Sequence, residues 1–500
     1  MIILFNPLST TPGKQPLPLS LMALAAVLEG RIPWTLIDGN ITRDPASAIL
    51  ASASSSMRDG ANVLAVTVMP GPQVAQAVEV CRRVRAARPD ITIVWGGYFP
   101  TQHTSIVMAS PLVDFVVRSQ GEAPLLQLID ALQNGGSFES IGGLSWRKPS
   151  TTGAAEGREV VNNPIGHLVP LDELPEMPYH RVDMPKYLHK NYLGARTVAH
   201  NTSFGCPFAC SFCAVGTMSH RRWLHHSAGR MEGTLRYLST TYGVDAVQMH
   251  DMDFFISEAR TAEFAERIAP LNLTWWALGR VDVLMQYSDA TWAAMKRSGL
   301  KMIFSGAESG SDEQLAAMNK GGKSSAALTI ELARRMRSYD IVPEFSFVLG
   351  SPPDPLGDVP KTFEFIRTIK AANPSAEIVM YTYTPVVADG DLLPQATEMH
   401  FAFPQTLEAF AEPAWQQLSM RRGDGIPWMS REVQRRARNF ERVLNAFYPT
   451  VTDPRLTGVA RTLLRAAGGW RYALRMYGAP YELRALHRLM QYQRPETTGF

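Results

Sequence analysis

Three of the four cysteines of this 500-residue chain lie within eight residues, at Cys206, Cys210 and Cys213. Their spacing is C-x3-C-x2-C, and the fourth cysteine, Cys81, is far away in the sequence. Thiolates at this density bind soft metal ions or iron–sulfur clusters, because sulfur suits iron and zinc better than magnesium or calcium. We therefore predict that these three cysteines are metal ligands.

The number of thiolates narrows the kind of metal site. A structural zinc site needs four ligands, and no nearby cysteine or histidine stands at the usual spacing to complete one. A [4Fe–4S] cluster held by three thiolates keeps one iron open for another ligand. The alternative is that the three cysteines mark one face of a helix as small buried hydrophobes. Gly205 and Pro207 argue against a regular helix here, so the cluster is the preferred interpretation.

An aromatic residue, Phe212, directly precedes the last cysteine of the motif. With it, the order C-x3-C-x2-C resembles the signature of the radical S-adenosylmethionine superfamily. The resemblance implies that the amino and carboxylate groups of S-adenosylmethionine chelate the open iron. It also implies that the cluster donates an electron that splits the sulfonium and gives a 5′-deoxyadenosyl radical.

Strand-like runs recur with helices between them from just before the cysteine motif to about residue 384. The runs are Val198–Asn201, Ala246–Met249, Leu273–Ala277, Met302–Gly306, Glu344–Leu349 and Ile378–Thr384. Six strand–helix units predict a partial (β/α) barrel, in which functional residues lie at the C-terminal ends of the strands.

Polar or glycine-containing segments follow these predicted strands. They look like the D-D-x-F, R-x-D, G-x-E-S-G-S and G-x-P segments of cobalamin-dependent radical enzymes, in the same order. In this chain the four segments read Asp251-Met252-Asp253-Phe254, Arg280-Val281-Asp282, Gly306-Ala307-Glu308-Ser309-Gly310-Ser311 and Gly350-Ser351-Pro352. The resemblance implies that Gly350 and its neighbours belong to the cofactor site, although the first segment is altered.

S-adenosylmethionine needs a carboxylate for its ammonium group, a cation or backbone N–H groups for its carboxylate, and paired acceptors for its ribose. We expect Glu308 and Ser309 to bind the ribose and the amino-acid part. Asp251 or Asp253 is expected near the ammonium group or the substrate, and Arg280 near a carboxylate. A structural salt bridge is the alternative reading of the Arg-x-Asp pair.

The N-terminal third alternates short β-rich runs with helical patterns. The strand runs are Ile2–Asn6, Trp34–Asp38, Val63–Val68, Ile91–Trp95 and Phe115–Arg118, and the helical runs are Leu19–Glu29, Gln73–Ala87 and Ala123–Leu132. This alternation predicts a doubly wound, Rossmann-like parallel sheet, in which ligands sit beyond the carboxyl ends of the strands.

Two turn segments end neighbouring strands of this predicted sheet, and the adjacent glycines Gly96 and Gly97 let a bulky ligand approach the backbone. With the downstream cysteine motif, the region resembles the cobalamin-binding domain that precedes many radical S-adenosylmethionine enzymes. We expect Thr67, Gly96 and Gly97 to bind cobalamin. The D-x-H-x-x-G motif is absent, so its histidine does not fill the lower axial position of the cobalt. A vestigial Rossmann-like module is the alternative.

The chain divides into four predicted parts. They are a cobalamin-binding-like Rossmann domain (1–140), a proline-punctuated linker (141–195), a radical S-adenosylmethionine partial barrel (196–400) and a C-terminal helical domain (401–500). Helical patterns in the last part cover Leu407–Met420, Ser430–Ala446, Val459–Tyr477 and Glu482–Gln493. The predicted fold class is therefore α/β with a helical C-terminal region.

Composition limits the class of protein. Four cysteines with no pairing pattern argue against a secreted disulfide scaffold, and the N-terminus lacks the basic start of a signal peptide. No run of 18 uncharged apolar residues predicts a membrane-spanning helix, so we expect a cytoplasmic protein.

From Arg421 onward 15 Arg against 6 Asp and Glu give a net charge of +9. A basic end suits nucleic acid or anionic membranes, but arginines scattered through apolar sequence favour solvated helix faces, and we expect no nucleic-acid partner.

The resemblance covers roughly residues 1–400 and implies methylation of an unactivated carbon of a small molecule, with methylcobalamin as methyl donor. It implies three cofactors, a [4Fe–4S] cluster, S-adenosylmethionine and cobalamin, and an electron donor such as flavodoxin or ferredoxin. A ring-forming oxidative cyclase, as in the anaerobic magnesium-protoporphyrin ester cyclases, is the first alternative. An iron–sulfur electron carrier or redox sensor is the second. No motif identifies the substrate or a catalytic residue.

Overall fold

The computed structural model describes residues 1–11, 13–55, 62–148, 159–320, 324–386, 391–419, 425–453 and 456–490. Within these residues the chain forms two sheets of mainly parallel strands, a two-stranded hairpin and a group of C-terminal helices. The predicted α/β fold class, with a Rossmann-like sheet followed by a partial barrel and a helical region, is confirmed.

The N-terminal sheet has the strand order β2-β1-β3-β4-β5-β6-β7. Its strands are β1 (Ile2–Asn6), β2 (Trp34–Asp38), β3 (Val63–Thr67), β4 (Thr92–Gly96), β5 (Phe115–Val117), β6 (Leu144–Arg147) and β7 (Val160–Asn162). The first five are parallel, and β1 and β3 are buried along their whole length, as expected for strands covered by helices on both faces. The helices of this region are α1 (Leu19–Leu28), α2 (Pro45–Ser55), α3 (Pro72–Ala87), α4 (Tyr98–Gln102), α5 (Thr104–Ala109) and α6 (Glu122–Asn134).

The edge of this sheet differs from the sequence expectation. β6 and β7 pair antiparallel beyond β5, inside the segment predicted as a linker. Leu144 and Trp146 are buried. Burial of their apolar side chains stabilises this stretch as a strand of the sheet, despite the prolines that follow it. Residues 149–158 of the predicted linker lie outside the described residues, and short 3-10 helices at Leu171–Glu173, Tyr179–Arg181 and Met184–Tyr187 complete the described part.

The second sheet is fully parallel, with the order β15-β14-β13-β12-β11-β8. Its strands are β8 (Thr197–His200), β11 (Ala246–Met249), β12 (Thr274–Leu278), β13 (Leu300–Glu308), β14 (Val342–Leu349) and β15 (Glu377–Thr382). Each strand pairs with the next strand of the sheet along the chain, which is the connectivity of a (β/α) barrel. The connecting helices are α8 (Ala228–Tyr242), α9 (Glu258–Ile268), α10 (Val281–Leu284), α11 (Asp289–Arg297), α12 (Asp312–Ala317), α13 (Ala326–Ser338) and α14 (Asp358–Ala372), with a 3-10 turn at Ala269–Leu271. All six predicted barrel strands are confirmed.

A small hairpin brackets the cysteine motif. Strands β9 (Ser203–Gly205) and β10 (Trp223–His225) pair antiparallel, and the short helix α7 (Val215–Ser219) lies between them. Gly205 has a φ of +82°, a conformation that favours glycine. The hairpin therefore presents residues 206–213, named here the cysteine loop, beyond the end of β8.

The C-terminal helices pack against both the Rossmann-like region and the barrel. They are α15 (Leu393–Glu398), α16 (Leu407–Ala411), α17 (Pro413–Ser419), α18 (Arg431–Phe447), α19 (Gly458–Ala473) and α20 (Tyr481–Met490). The rings of Phe363 on α14 and Phe440 on α18 stack with centroids 4.1 Å apart. The single helix predicted over Leu407–Met420 is wrong, because Pro413 has no amide hydrogen with which to continue α16. The other three predicted helices are present with shifted ends, and residues 491–493 lie outside the described residues.

The carboxyl ends of the two large sheets face each other. Thr67 and Gly96, at the ends of β3 and β4, line the same cavity as His200 and Asn201 at the end of β8. A hydrogen bond from the Tyr187 hydroxyl to Asp38 Oδ2 (3.0 Å) also joins the N-terminal sheet to the segment before the barrel. No helix within the described ranges is both long and apolar enough to cross a membrane.

Candidate active site

The cysteine loop carries three accessible thiols. Cys206, Cys210 and Cys213 are each partly exposed, whereas Cys81 is fully buried in α3. Burial raises the pKa of Cys206 to about 12, so a bound metal is what would keep its sulfur as a thiolate. The structure thus brings the three predicted ligands onto one loop and leaves the fourth cysteine apart.

Backbone contacts to the end of α12 hold this loop. The Ser211 amide donates to the Met318 carbonyl (3.0 Å) and the Ser211 hydroxyl to the Ala317 carbonyl (3.1 Å). The Asn319 side chain donates to the Ala209 carbonyl (2.8 Å). The backbone of the loop is therefore held by its neighbours.

Arg280 lies directly against the cysteine loop. Its Nη1 donates to Cys210 Sγ (3.1 Å), and its Nε and Nη2 form a two-pronged pair with Asp282 at 3.0 and 2.9 Å. The guanidinium also lies 3.9 Å from the centroid of the Phe208 ring. These contacts use all three nitrogens of the Arg280 guanidinium. Arg280 is therefore positioned to stabilise a negatively charged sulfur, and a carboxylate of a bound ligand would have to share its N–H groups.

Glu308 forms a buried ion pair with Lys320. Glu308 Oε1 lies 2.9 Å from Lys320 Nζ, and both side chains are 7% exposed. The negative charges of Glu308 and Cys210 outweigh burial and raise the pKa of Lys320, and its ammonium lies 6.0 Å from the Phe212 ring. Sequence reasoning missed Lys320, which stands in Asn319-Lys320-Gly321-Gly322, a pattern typical of a turn and of no particular chemistry.

The two aspartates after β11 have different surroundings. Asp251 accepts hydrogen bonds from the amide and hydroxyl of Thr202 and from the Ser203 hydroxyl, so it fixes the start of the β9–β10 hairpin. Asp253 accepts only from the Phe255 amide (3.1 Å), and its Oδ2 is buried with no hydrogen-bond partner in the described chain. Burial raises the pKa of Asp253 to about 7. Of the two predicted carboxylates, Asp253 is the one free to bind a ligand.

Ser309 and Gly350 already have protein partners. The Ser309 hydroxyl donates to Asp358 on α14 and accepts from the Ser311 amide (2.9 Å). Gly350 has a φ of +77°, and a methyl group there would approach Met429 Sδ to 2.6 Å. These two residues shape the backbone around the site. Asp358 was missed because it lies on the next helix, and Met429 because the C-terminal region carries no motif.

The barrel holds a further buried carboxylate, besides those of Asp251, Asp253 and Glu308. Glu344 on β14 accepts a hydrogen bond from Trp276 Nε1 (3.2 Å), and burial raises its pKa to about 8, with a smaller contribution from Glu377 on the neighbouring strand. Trp275, which precedes Trp276, and Phe345, which follows Glu344, belong instead to the core between the sheet and its helices. The alternation of the strands thus places Trp276 and Glu344 on the face of the sheet opposite to Trp275 and Phe345.

Thr67, Gly96 and Gly97 line a cavity of about 320 Å³ between the two sheets. Gly97 has a φ of +94°, and a methyl group there would approach Thr67 Oγ1 to 3.1 Å and the Val68 amide to 3.2 Å. The opposite wall comes from the barrel side, where His200, Asn201, Phe204 and Met218 line the cavity. The three predicted residues are therefore together at one surface, next to the hairpin that holds the cysteine loop.

These features fit the groups that the sequence implies. The cysteine loop offers three soft donors, Asp253 offers an unsatisfied carboxylate, and the glycines at the end of β4 let a large ligand approach the backbone. The side chain of Gln102 on α4 donates to the Ala214 carbonyl (3.3 Å), one residue beyond Cys213. Helix α4 of the Rossmann-like region thus directly contacts the residue that follows the cysteine loop. The roles of the individual residues stay predictions.

Two family models match separate parts of the chain. Residues 7–129 match the B12 binding domain, and residues 200–366 match the Radical SAM superfamily. The first match covers the Rossmann-like sheet as far as α6, and the second covers the barrel from β8 into α14. The order of the two matches agrees with the order expected from the cysteine motif and the glycine turns.

Similar proteins and structures are also found. An uncharacterized methyltransferase of Pyrococcus horikoshii is 26% identical over 355 residues, which is 70% of this chain and 73% of that protein. The anaerobic magnesium-protoporphyrin IX monomethyl ester cyclase of Synechocystis is 27% identical over 269 residues, 53% of this chain and 51% of the cyclase. The structure of the cobalamin-dependent S-adenosylmethionine radical enzyme OxsB, with aqua-cobalamin and S-adenosylmethionine bound, has a TM-score of 0.69 at 16% identity. It covers 98% of this chain and 75% of OxsB, so the fold is shared.

Proposed function

The chain belongs to the radical S-adenosylmethionine superfamily and carries a B12-binding domain in front of its radical domain, and from this premise we propose that it methylates an unactivated carbon of a small molecule. The observation that carries the proposal is the three-cysteine loop, which is followed directly by a contact with the B12-binding domain at Ala214 and lies near a cavity lined by both domains. The methyltransferase of Pyrococcus horikoshii, similar over 70% of this chain, supports methyl transfer.

Cys206, Cys210 and Cys213 would hold a [4Fe–4S] cluster and leave one iron for S-adenosylmethionine. When bound, the cluster and S-adenosylmethionine would supply radical chemistry for hydrogen abstraction, and cobalamin would supply a methyl group. Arg280 donates a hydrogen bond to Cys210 Sγ, which stabilises a coordinated thiolate. Asp253 would accept from the ammonium group of S-adenosylmethionine, because its Oδ2 has no partner in the described chain.

Thr67, Gly96 and Gly97 would bind cobalamin at the cavity between the sheets. Glycine is required at position 97, because a methyl group would displace the Thr67 hydroxyl or the Val68 backbone. The loop after β1 reads Asn6-Pro7-Leu8-Ser9-Thr10, so it would offer no histidine to a bound cobalamin.

The reaction also needs an electron from outside the chain. We propose a small reduced carrier such as flavodoxin or ferredoxin, because the described residues contain no second group of cysteines from which a cluster could be built. A reducing, cytoplasmic compartment suits three accessible thiols on one loop.

A second candidate is radical cyclisation, which the similarity to the Synechocystis cyclase favours. Both candidates cleave S-adenosylmethionine, but methyl transfer also consumes a second molecule to recharge cobalamin. A third reading, an electron carrier, needs no S-adenosylmethionine at all.

Product analysis separates these functions. The full chain is reconstituted anaerobically with iron, sulfide and cobalamin, reduced, and incubated with S-adenosylmethionine and an extract of candidate small molecules. We expect both 5′-deoxyadenosine and S-adenosylhomocysteine. 5′-Deoxyadenosine without S-adenosylhomocysteine would favour cyclisation, and intact S-adenosylmethionine would favour an electron carrier.

A further inference from the structure

A second cavity of about 180 Å³ lies beside the one assigned to cobalamin, and Met69 and Tyr98 line both. Its walls come from the turns after β3 and β4, from the segment after β15, and from helices α16 and α17. We name it the aromatic cavity; its lining residues are Met69, Pro70, Tyr98, Phe99, His103, Thr384, Pro385, Val386, Phe403, Phe410, Trp415, Leu418 and Ser419.

Aromatic rings surround one imidazole in this cavity. The ring of His103 lies 5.0 Å from Phe99, 5.2 Å from Phe403 and 4.8 Å from Phe410, measured between centroids. Trp415 lies 5.0 Å from Phe410. These faces and edges form a wall that suits another flat ring.

His103 is the polar group that this wall leaves without a partner. The residue is 6% exposed, and no described residue forms a hydrogen bond with its ring nitrogens. Burial lowers its pKa to about 4, so the imidazole is neutral and offers one donor and one acceptor. The hydroxyls of Thr384 and Ser419 already donate to the carbonyls of Thr382 and Gln416.

The described lining contains no Asp, Glu, Lys or Arg. An ion in such a cavity would lose its hydration without gaining a counter-charge, which is costly. The volume suits one ring, since an apolar cavity of about 150 Å³ holds benzene.

We propose that the aromatic cavity binds an uncharged aromatic ring that carries one hydrogen-bonding substituent, and that this ring is part of the substrate. The second half of the proposal rests on the proposed function, because the aromatic cavity adjoins the one assigned to cobalamin and is lined by the segment after β15, at the C-terminal end of the barrel strands. The hydrogen bond to His103 would orient the ring.

Binding of the ring is tested without turnover. The reconstituted full chain is titrated with 4-fluorophenol, fluorobenzene and 4-fluorobenzoate, and binding is followed by fluorine NMR. We expect 4-fluorophenol to bind at least about tenfold more tightly than 4-fluorobenzoate. His103→Phe should weaken 4-fluorophenol about fivefold and leave fluorobenzene unchanged. His167→Phe, at an exposed histidine in the segment before the barrel, is the control.

Filling variants locate the site. Val386→Trp and Ser419→Phe, made separately on different walls, should each abolish binding of both neutral probes. Equal affinity of the wild-type chain for 4-fluorophenol and 4-fluorobenzoate would overturn the proposal. So would undiminished binding of 4-fluorophenol and fluorobenzene by both filling variants. Ring binding in a protein that forms no methylated product would refute the proposed function and leave this site standing.

A separate observation concerns helix α19. Its residues Val459, Leu463, Ala466, Trp470 and the following Leu474 recur at intervals of three or four, which puts them on one side of the helix. The four larger side chains are 73, 52, 46 and 66% exposed, while the other side packs on α18. This stripe, the C-terminal face, is larger than the scattered apolar residues usual on a surface.

The charges around this face are almost all positive. Residues 456–490 contain six Arg and one Glu, a net charge of +5. Arg471 pairs with that glutamate, Glu482, and Arg475 with Glu364 (2.8 Å). Arg465 and Arg488 have no ion pair within the described chain. A second copy of the same face would bring like charges together, whereas an anionic surface would neutralise them.

We infer that the C-terminal face docks the protein on an anionic lipid surface. An exposed apolar stripe containing Trp and Leu, on a helix of a segment with a net positive charge, is the pattern of helices that lie in the membrane interface without spanning it. The stripe would enter the boundary between headgroups and acyl chains, and Arg465 and Arg488 would contact the lipid phosphates.

Co-sedimentation with vesicles tests this inference on the full chain. We expect binding to vesicles of equal parts phosphatidylcholine and phosphatidylglycerol, and weak binding to phosphatidylcholine alone. The double variant Leu463→Asp/Leu474→Asp should reduce binding at least about tenfold, and Tyr237→Asp, an exposed aromatic position on α8, should not. Failure of the wild-type chain to sediment with the mixed vesicles would refute the inference. So would a dimer in sedimentation velocity that the same double variant dissociates, because a second copy would then cover the face.

Discussion

Lys320 determines how the charges beside the cysteine loop are balanced. It neutralises Glu308 at 2.9 Å, its pKa is raised by the charges of Glu308 and Cys210, and its carbonyl accepts from Arg280 Nη2 (2.6 Å). One residue therefore connects the strand that carries Glu308 with the arginine that donates to a cysteine sulfur. We expect this connection to hold the site in shape before any ligand binds.

Removing the cation should be costly. Lys320→Met leaves the Glu308 carboxylate buried without its partner, and we expect the free energy of unfolding to fall by roughly 3–5 kcal/mol. The measurement is urea denaturation of the full chain. The double variant Glu308→Gln/Lys320→Met removes both charges and should recover most of the loss. If the single variant is as stable as the wild type, the ion pair is not formed in the protein.

At the residue scale, sequence reasoning identified groups by type and spacing but not by their partners. The cysteine spacing predicted Cys206, Cys210 and Cys213 as metal ligands, and this role stays a prediction. Asp251 and Asp253 looked equivalent in the sequence, yet only Asp253 keeps a free oxygen. Whether a carboxylate is free depends on side chains distant in sequence, and no local pattern encodes them.

At the scale of elements, the site is built from the ends of parallel strands. β3 and β4 end at Thr67 and Gly96 on one side, and β13 ends at Glu308 on the other. Parallel strands bring such ends to one edge, which is why residues far apart in the chain meet.

The turn after β4 depends on glycine. Gly97→Ala adds a methyl group at φ +94° and ψ −162°, a backbone conformation open mainly to glycine. We therefore expect the free energy of unfolding to fall by about 1–3 kcal/mol. We also expect a lower corrinoid content after reconstitution. Gly135→Ala is the control, because its φ is also positive (+73°) but nothing lies within 4 Å of the added methyl. Corrinoid content that falls equally in both variants would mean that the turn after β4 has no special role.

Glu344 should make stability depend on pH. Its pKa is raised from 4.5 to about 8 by burial, so the folded protein keeps a proton that the unfolded chain has released. Stability should therefore fall as the pH rises from about 4.5 to 8, by up to about 1.4 kcal/mol per pH unit from this group, and level off above. Glu344→Gln should remove this slope in urea denaturation at a series of pH values. An unchanged slope in the variant would contradict the buried, protonated state.

Most elements followed from periodicity and strand composition, and the failures have physical causes. The helix over Leu407–Met420 was broken by a missing amide hydrogen at Pro413. Strands β6 and β7 were missed because their pairing is antiparallel at a sheet edge, where short apolar runs between prolines resemble a linker. The packing of α18 on the barrel involves a ring stack between Phe363 and Phe440, which no local sequence pattern predicts.

At the scale of the whole molecule, two sheets with facing carboxyl ends enclose the proposed cobalamin site. The cavity takes residues from both, so a ligand bound there contacts the folded arrangement and not the unfolded chain. Ligands of this kind stabilise a protein by mass action.

Cobalamin should therefore raise the stability of the full chain. At one hundred times its dissociation constant, hydroxocobalamin should add about 2.7 kcal/mol to the free energy of unfolding, measured as a shift of the urea midpoint. Ala23→Arg puts a large charged side chain into the cavity and should abolish the shift. A shift that persists in the variant would mean that cobalamin binds elsewhere.

We propose that the chain supplies three ligands to a four-iron cluster and leaves one iron to S-adenosylmethionine. The test is electron paramagnetic resonance of the reconstituted, reduced full chain, recorded with and without S-adenosylmethionine. We expect a cluster signal that changes on addition of S-adenosylmethionine, is lost in Cys210→Ala and is retained in Cys81→Ala. A signal that is insensitive to S-adenosylmethionine, or that requires Cys81, would contradict it.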